Sequence, residues 1–584
     1  MCGIAGFVDK KNILNEIEKK EIALDMAKMI THRGSDSHGC FIKNNVVMIH
    51  NRLSIIDMSN KSNQPIINYV GALTYNGEIY NYKDFKKINA RSDTIFLLDF
   101  LSKSNDINKL DGMFAYAFQD FAGQKIYFQI DRFGIKSLYW YEDENFFAWG
   151  SELKVFLKLP RIRFIFNDNQ LEDFMIYRTN VTNETLVKNV FRMLPGESIT
   201  FDLKRHEITS RQIGISFLNE TQLDTTKMLD VYEIIKNDVK SSLVADVPVG
   251  VQLSGGIDST MIAILASLYK TKIHTYSIGM IDENWNEFKY SDMVAEKIKS
   301  NHKKIIFSKK DFIDSFNLVT YLLDEPINHE NTVPMYLLSK EARKGVKVLL
   351  TGEGADELLG GYRRYSLLSG KEKFNKVNNI GIVRKILIHS KNNNSRETLW
   401  KDSEKIDDPI QKYSYFDIKT FLPNALLRQD KVSMGANIEN RVPFLRNSTS
   451  NVLFHLKQNE RIGKFGQKNI LKKILFDKFE FNFEFLSRRK CGFGLPLKDW
   501  LKDKDVFLEY LLNITKHELI SSHFNVKEIE LLVHDHINGM ADNTDILFTL
   551  ISLATWYDVF ILENQTTQMQ ALRYTHDLEH VNKI

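Results

Sequence analysis

The second residue of the chain is a cysteine, in MCGIAGF. The first residues of most domains are frayed and carry nothing. A thiol at the chain start can nonetheless act as a nucleophile, because a free α-amine, with an ordinary pKa of about 7.7–8.0, can take its proton at neutral pH. Position alone leaves both readings open. A second candidate is VQLSGGIDST, where Ser254, Gly255, Gly256, Asp258 and Ser259 stand between an apolar strand and an apolar helix. Glycines let backbone N–H groups close on a phosphate, and the helix start adds its positive dipole end. The same residues also suit a plain turn with a Ser or Asp helix cap. No Gly-Lys-Ser/Thr follows, so this is not a Walker loop.

A third stretch, LLTGEGADELLGGY, again sets a strand before a glycine turn, with Thr351, Gly352, Glu353 and Asp356 at the turn. Asp356 lies three residues after Glu353, which predicts both on one side of a helical first turn. Acids there can simply complement a helix dipole. Beside a phosphate loop they also fit Mg²⁺, which takes one or two carboxylates plus phosphate oxygens. The two turns together point to a site for ATP and Mg²⁺.

The elements around these residues divide the chain. Up to residue 205 it reads as short strands rich in β-branched and aromatic residues, with helices at about 14–30 and 93–103, a β-rich α/β layer domain (2–205). Residues 206–226 are polar and weakly periodic, as suits a connection. From 227 to 575, strand–glycine turn–helix units argue for a parallel sheet with helices on its faces. Ligands of such sheets bind beyond the carboxyl ends of the strands, where the glycine turns lie. From about 410 onward the pattern is mainly helical, and KNNNS at 391–395 reads as a loop.

Bulk properties exclude several classes. A formal charge of +4 over 584 residues gives no basic field for a nucleic acid. Cys2, Cys40 and Cys491 are too few and scattered for a disulfide framework or zinc site, which points to a reducing, cytoplasmic setting. No signal peptide is visible. The longest apolar run, ILFTLISLATWY near residue 550, is short of the roughly 20 residues needed to span a bilayer and reads as a buried helix. Cys40 reads as a small packing residue.

With MCGIAGF, HRGSDSHG, NGEIYN, LSGGIDST, TGEGADELLGGY and RQDKVSMGANIENRVPFL in this order, the chain resembles the glutamine-hydrolysing asparagine synthetases from Cys2 to about residue 560. The resemblance implies an N-terminal-nucleophile domain of the class II glutamine amidotransferase kind, two sheets sandwiched between helices. It also implies that Met1 is removed and Cys2 attacks glutamine. Arg52 would then bind the glutamine α-carboxylate and Asp93 its α-ammonium. Asn76 and the Gly77 N–H would form the oxyanion hole, with Glu78 in the pocket.

The second half resembles the synthetase domain, an ATP pyrophosphatase in which the aspartate side chain attacks the ATP α-phosphate. By similarity, Ser254, Gly255, Gly256, Asp258 and Ser259 cradle pyrophosphate, and Asp258 and Asp356 ligate Mg²⁺. Leu253, Ile278, Thr351 and Gly352 line the nucleotide pocket. Glu353 acts as base on ammonia, and Lys468 in GQKNILKKIL matches the lysine that stabilises charge on the α-phosphate. RRKCGFGLPLKDWL matches a late family motif, which makes Cys491 structural. The implied partners are glutamine, ATP and aspartate or another carboxylate, with no nucleic acid and no membrane; a homodimer stays open.

The sequence also departs from the family. Ser35 stands where proline is usual and Ile95 where glutamate is common, and the segment before RSDT is short. Asn440, Arg446 and the PINHENTVPMY run differ on the side where the acceptor is expected. A second reading therefore keeps the chemistry and changes the acceptor, to a carboxylate such as a uronic acid of a surface polysaccharide. A non-enzymatic scaffold would have lost the nucleophile or phosphate loop, yet Cys2, Arg52, Asn76, Asp93, Asp258, Glu353 and Asp356 are all present.

Overall fold

Alternation along the first strand sets the architecture of the N-terminal half. The computed structural model describes residues 2–85, 90–103, 106–212, 228–366, 380–390, 400–488, 494–503 and 506–562. In chain order the strands of this half are β1 (Cys2–Asp9), β2 (Ser37–Lys43), β3 (Val46–Arg52), β4 (Ile66–Ile67), β5 (Gly71–Ile79), β6 (Gly112–Asp120), β7 (Lys125–Ile130), β8 (Tyr139–Glu142), β9 (Phe146–Gly150), β10 (Val190–Arg192), β11 (Ser198–Asp202) and β12 (Glu207–Gln212). They form two six-stranded sheets, β10-β8-β9-β1-β3-β2 and β12-β11-β7-β6-β5-β4. Ile4 and Val8 of β1 and Val46 and Met48 of β3 meet Ala72, Ala115 and Phe128 between the sheets. The intervening Ala5, Phe7, Val47 and Ile49 pack under helix Glu16–Met29, and Leu73 and Tyr75 pack under helix Asp93–Ser102 through Phe96 and Phe100. This is the helix–sheet–sheet–helix sandwich expected. Both helices start on side-chain caps: Asn15 in a capping box with Glu18, and Ser92 on Ile95 N–H.

The C-terminal half is built on β13 (Val249–Gln252), β14 (His274–Gly279), β15 (Asn301–Ile306), β16 (Val348–Leu350) and β17 (Glu439–Arg441), all parallel in the order β15-β14-β13-β16-β17. Three of these are the strands expected. β17 is the surprise: three polar residues in a region read as helical, held because Leu350 pairs with Arg441 at the sheet edge. The apolar run near 550 is inside helix Thr544–Phe560, buried from Ile546 to Tyr557. Among the described residues no helix is long and apolar enough to cross a membrane.

Three expectations are corrected. Residues 207–212, read as connection, form an edge strand paired with β11, so the sheet runs past 205. Cys40 is not packed: it lies within edge strand β2 and is exposed. Arg446, expected near the acceptor, lies at the junction of the halves. Met1, residues 213–227, the 391–395 loop, Cys491 and the chain beyond 562 lie outside the described residues.

The two halves share one interior. Leu53, Ile55, Phe133 and Ile135 belong to the same apolar cluster as Val249, Val251 and Leu253. Helix Leu422–Met434, buried along its whole length, lies at the junction. Its Asp430 accepts from Arg33 at 2.7 Å and Lys136 at 2.8 Å, while Lys431 donates to Asp324 at 2.7 Å.

Candidate active sites

Cys2, His50, Arg52, Asn76 and Glu78 share the inner faces of β1, β3 and β5, because side chains alternate with a period of two and a register slip of one would turn all of them outward. Cys2 opposes Arg52 across the β1–β3 ladder. Its backbone nitrogen donates to Asn76 Oδ1 at 2.9 Å, which leaves Asn76 Nδ2 buried without a partner. The sulfur accepts from the Leu53 N–H, yet burial pushes the thiol up from its usual value. It is therefore a nucleophile that needs a base. Gly77 has φ +152°, and a Cβ there would lie 2.1 Å from the Met113 carbonyl, so only glycine fits β5 at this position beside Asn76.

Around this centre the wall is fixed by hydrogen bonds. The Arg52 fork donates to Ser59 O at 2.8 Å, Asn63 Oδ1 at 2.7 Å and the carbonyls of Ile56 and Asp57, which orients it on the loop it shares with the pocket. Asp93 accepts from Tyr75 Oη at 2.7 Å and from the N–H groups of Ile79 and Thr94. His50 Nε2 donates to Tyr75 O at 3.2 Å, and burial lowers the ring to about 3, so it stays neutral and fixes the strand that carries Asn76. The sequence reading passed over His50, though the alternation Val46, Met48, His50, Arg52 would have found it. Glu78, expected in the glutamine pocket, is joined to Arg441 Nη2 at 2.9 Å, from the other half of the chain.

The second site lies beyond the carboxyl ends of β13, β14 and β16. Leu253 and Ile278 are buried there, and Leu253 N–H donates to Tyr276 O at 2.8 Å. Ser254 Oγ accepts from Gly256 N–H at 3.2 Å and meets Ser259 Oγ at 3.0 Å, with Gly255 at φ +82° making the turn. The helix Ile257–Ser267 starts at Gly256, leaving its first N–H groups to face an anion. Gly352 packs directly on the Asp258 Cβ, and Thr351 Oγ1 is buried without a partner. Lys468 reaches from the start of helix Asn469–Phe479 between Asp258 and Asp356, 2.7 Å from the latter. Asp258 Oδ1 remains buried and unpartnered.

Asp258, Asp356 and Lys468 line a cavity of about 780 Å³ with Gly256, Tyr362, Gln467, Phe485 and Arg488, a size suited to a nucleotide. Arg488 was not singled out from sequence. It donates to Gly255 O at 2.5 Å, pairs with Glu287 at 3.0 Å and stacks 3.7 Å above Tyr290, which holds the phosphate loop in shape.

Glu353 lies outside the helical turn that carries Asp356, contrary to the expectation of a shared helical face. The helix begins only at Ala355, and Gly354, at φ +89°, reverses the chain between them. Asp356 turns to Lys468, whereas Glu353 lies within electrostatic reach of Arg428. Arg446 donates to Asp111 Oδ2 at 2.6 and 2.9 Å and stacks on Tyr80, and Asn440 reaches the Gln429 carbonyl. Arg446 thus serves the junction of the halves, while Asn440 bonds within the C-terminal half.

A family model for asparagine synthase matches residues 230–558, and one for a glutamine amidotransferase domain matches residues 1–212. Asparagine synthetase (glutamine-hydrolyzing) 1 of Bacillus subtilis (strain 168) is 28% identical, over 96% of this chain and 97% of that one. Asparagine synthetase (glutamine-hydrolyzing) 3 of the same organism is 27% identical, over 81% and 84%. Asparagine synthetase B of Escherichia coli (strain K12) is 26% identical, over 62% and 65%. With more than half of its length matched by one model and the phosphate cradle and Cys2 pocket each inside a matched segment, the chain belongs to the asparagine synthase family.

Proposed function

We propose that this protein makes asparagine from aspartate, glutamine and ATP, releasing AMP, pyrophosphate and glutamate. The observation that carries this reading is a three-residue link between the two sites. Glu78, two residues from Asn76, is bonded by Arg441, and the Arg441 carbonyl accepts from Thr351 N–H at 2.9 Å. The strand that carries the thiol's neighbours is thereby tied to the turn that carries the nucleotide groups.

In the first site, with Met1 removed, the Cys2 α-amine takes the thiol proton and the thiolate attacks the glutamine amide. Asn76 Nδ2 and the Gly77 N–H stabilise the developing oxyanion. Arg52 and Asp93 hold the substrate's α-carboxylate and α-ammonium. In the second site, Ser254, Gly255, Gly256 and Ser259 cradle pyrophosphate, and Leu253, Ile278, Thr351 and Gly352 line the nucleotide.

The fit for Mg²⁺ rests on the donor set: two carboxylates, Asp258 and Asp356, converge on one cation, and Asp258 Oδ1 has no other partner. Bound there, Mg²⁺ would neutralise phosphate charge. Lys468 then turns to the α-phosphate as the aspartate carboxylate attacks it, giving β-aspartyl-AMP. Glu353 takes a proton from the ammonia that displaces AMP.

The test is product analysis with purified protein. AMP and pyrophosphate should form with aspartate and not with glucuronate, and asparagine should form with either glutamine or ammonium as nitrogen source. Pyrophosphate release with glucuronate alone would instead support an enzyme that amidates sugar acids.

A further inference from the structure

Three cations, Lys468, Lys472 and Arg488, line the one cavity of about 780 Å³. Like charges gathered away from bulk water repel, and each needs a counter-charge. Two of them have one: Lys468 stands between Asp258 and Asp356, and Arg488 pairs with Glu287 at 3.0 Å. Lys472 is the exception. Its Nζ donates to the Phe465 carbonyl at 2.8 Å, a neutral acceptor that takes one of its three donors. Among the described residues no carboxylate stands within ion-pair distance of it.

Three observations place this ammonium. The Lys472 N–H bonds to the Lys468 carbonyl at 3.1 Å, so the two lysines stand one helical turn apart at the start of helix Asn469–Phe479. The Lys472 Nζ ends 4.0 Å from the point that a Cβ on Gly466 would occupy, and Gly466 lines the cavity. Burial first, then Lys468 and Arg488 against the pull of Asp258, lower the ammonium from its ordinary value. All three of those neighbours line the same space. A cation held so gains most from an added anion.

The lining also says which part of a nucleotide the cavity takes. Gly256 of the phosphate turn and Asp258 line it, whereas Leu253, Ile278, Thr351 and Gly352, assigned above to the nucleotide pocket, do not. It is the phosphate side. Lys468 is bonded to the two carboxylates, and Lys472 lies beyond it toward hairpin 462–467.

Resting on the function proposed above, we infer that Lys472 binds the β- and γ-phosphates of ATP and holds them as the departing pyrophosphate. In that step an acceptor carboxylate oxygen bonds to the α-phosphorus. The bond from this phosphorus to the β-phosphate oxygen breaks, and its electron pair leaves on pyrophosphate. Lys472 meets the new charge without giving up a proton.

Titration calorimetry of the full chain tests this, with inorganic pyrophosphate plus Mg²⁺ and, separately, with AMP, on the wild type, Lys472→Met and Lys472→Arg. Losing a bond to a charged group predicts pyrophosphate affinity lowered roughly 10- to 100-fold in Lys472→Met. Lys472→Arg keeps the charge and should recover most of it. AMP affinity should stay unchanged in both variants, which also reports that the site is folded. If Lys472→Met binds pyrophosphate as the wild type does, the inference is wrong even where turnover falls, because the lysine then only supports the hairpin before Lys468. Equal losses for pyrophosphate and AMP would overturn it as well. If the wild type binds neither ligand, the proposed function fails and the inference with it. If it binds both yet releases no pyrophosphate from ATP and aspartate, the proposed function fails alone, and the comparison of variants still decides the place of Lys472.

Discussion

Arg441 holds two carboxylates at once, Glu439 at 2.5 Å through Nε and Glu78 at 2.9 Å through Nη2, all buried where the two halves meet. One guanidinium cannot neutralise both. Burial, followed by the nearby Asp93, pushes the Glu78 carboxyl well above the usual range, whereas the α-ammonium of the chain start, then Arg441 and Lys136, overcome burial at Glu439 and hold it at about 2. Glu439 is thus the ionised partner and Glu78 the protonated one. Glu78→Gln, which keeps shape and hydrogen bonding, should change stability by less than about 1 kcal/mol. Glu439→Gln strands a buried guanidinium and should cost about 3–5 kcal/mol. Urea denaturation of the two variants reads the contrast directly, and equal losses would mean that the proton sits elsewhere.

Burial raises the Cys2 thiol, and among the described residues no side-chain base is bonded to it, so glutamine use should depend on removal of Met1. A form that retains Met1, confirmed by intact mass, should release no glutamate from glutamine yet make asparagine with ammonium. Cys2→Ala should behave the same way. Asn76→Ala removes the one uncommitted amide donor beside the thiol and should lower glutamate release about 10²- to 10³-fold, with ammonium-dependent synthesis unchanged.

Much of this was legible in the sequence because it is local. The strand–turn–helix units around Ser254 and Thr351 place their own residues, and period-two alternation puts Cys2, Arg52 and Asn76 on one face. What was not legible depends on chain segments hundreds of residues apart. The bond of Glu78 to Arg441 has no local signal, and Arg446 reads as a changed acceptor contact until Asp111 meets it. β17 has no strand signal at all: ENR is a strand only because the sheet edge at Leu350 accepts it. Glu353 and Asp356 have helical spacing, and a single glycine in a left-handed conformation separates them.

Lys468 occupies the space between Asp258 and Asp356 that a divalent cation would need. Without nucleotide the ammonium and the metal therefore compete. Lys468→Met should bind Mg²⁺ more tightly than the wild type in the absence of ATP, because two carboxylates lose their internal counter-ion, as titration calorimetry can measure. The same variant should lose acceptor-dependent pyrophosphate release by about 10²-fold or more, since a charge on the α-phosphate goes unmet in the transition state. Unchanged Mg²⁺ affinity would show that the lysine does not stand in for the cation.

Acid sensitivity should follow Glu439. Its folded value of about 2 lies below the ordinary glutamate value of about 4.3. A group depressed on folding stabilises the native state above its unfolded pKa, and that contribution fades as pH falls through about 4 toward 2. The proton must then enter a buried pair with Arg441, which couples acid unfolding to the junction of the two halves. Urea midpoints measured between about pH 6 and pH 3 should fall with acid in the wild type. In Glu439→Gln the midpoint should start lower and fall less steeply over the same range, because this carboxylate no longer takes up a proton on unfolding. Identical acid slopes in the two proteins would place the titrating group outside the Glu78, Glu439 and Arg441 cluster.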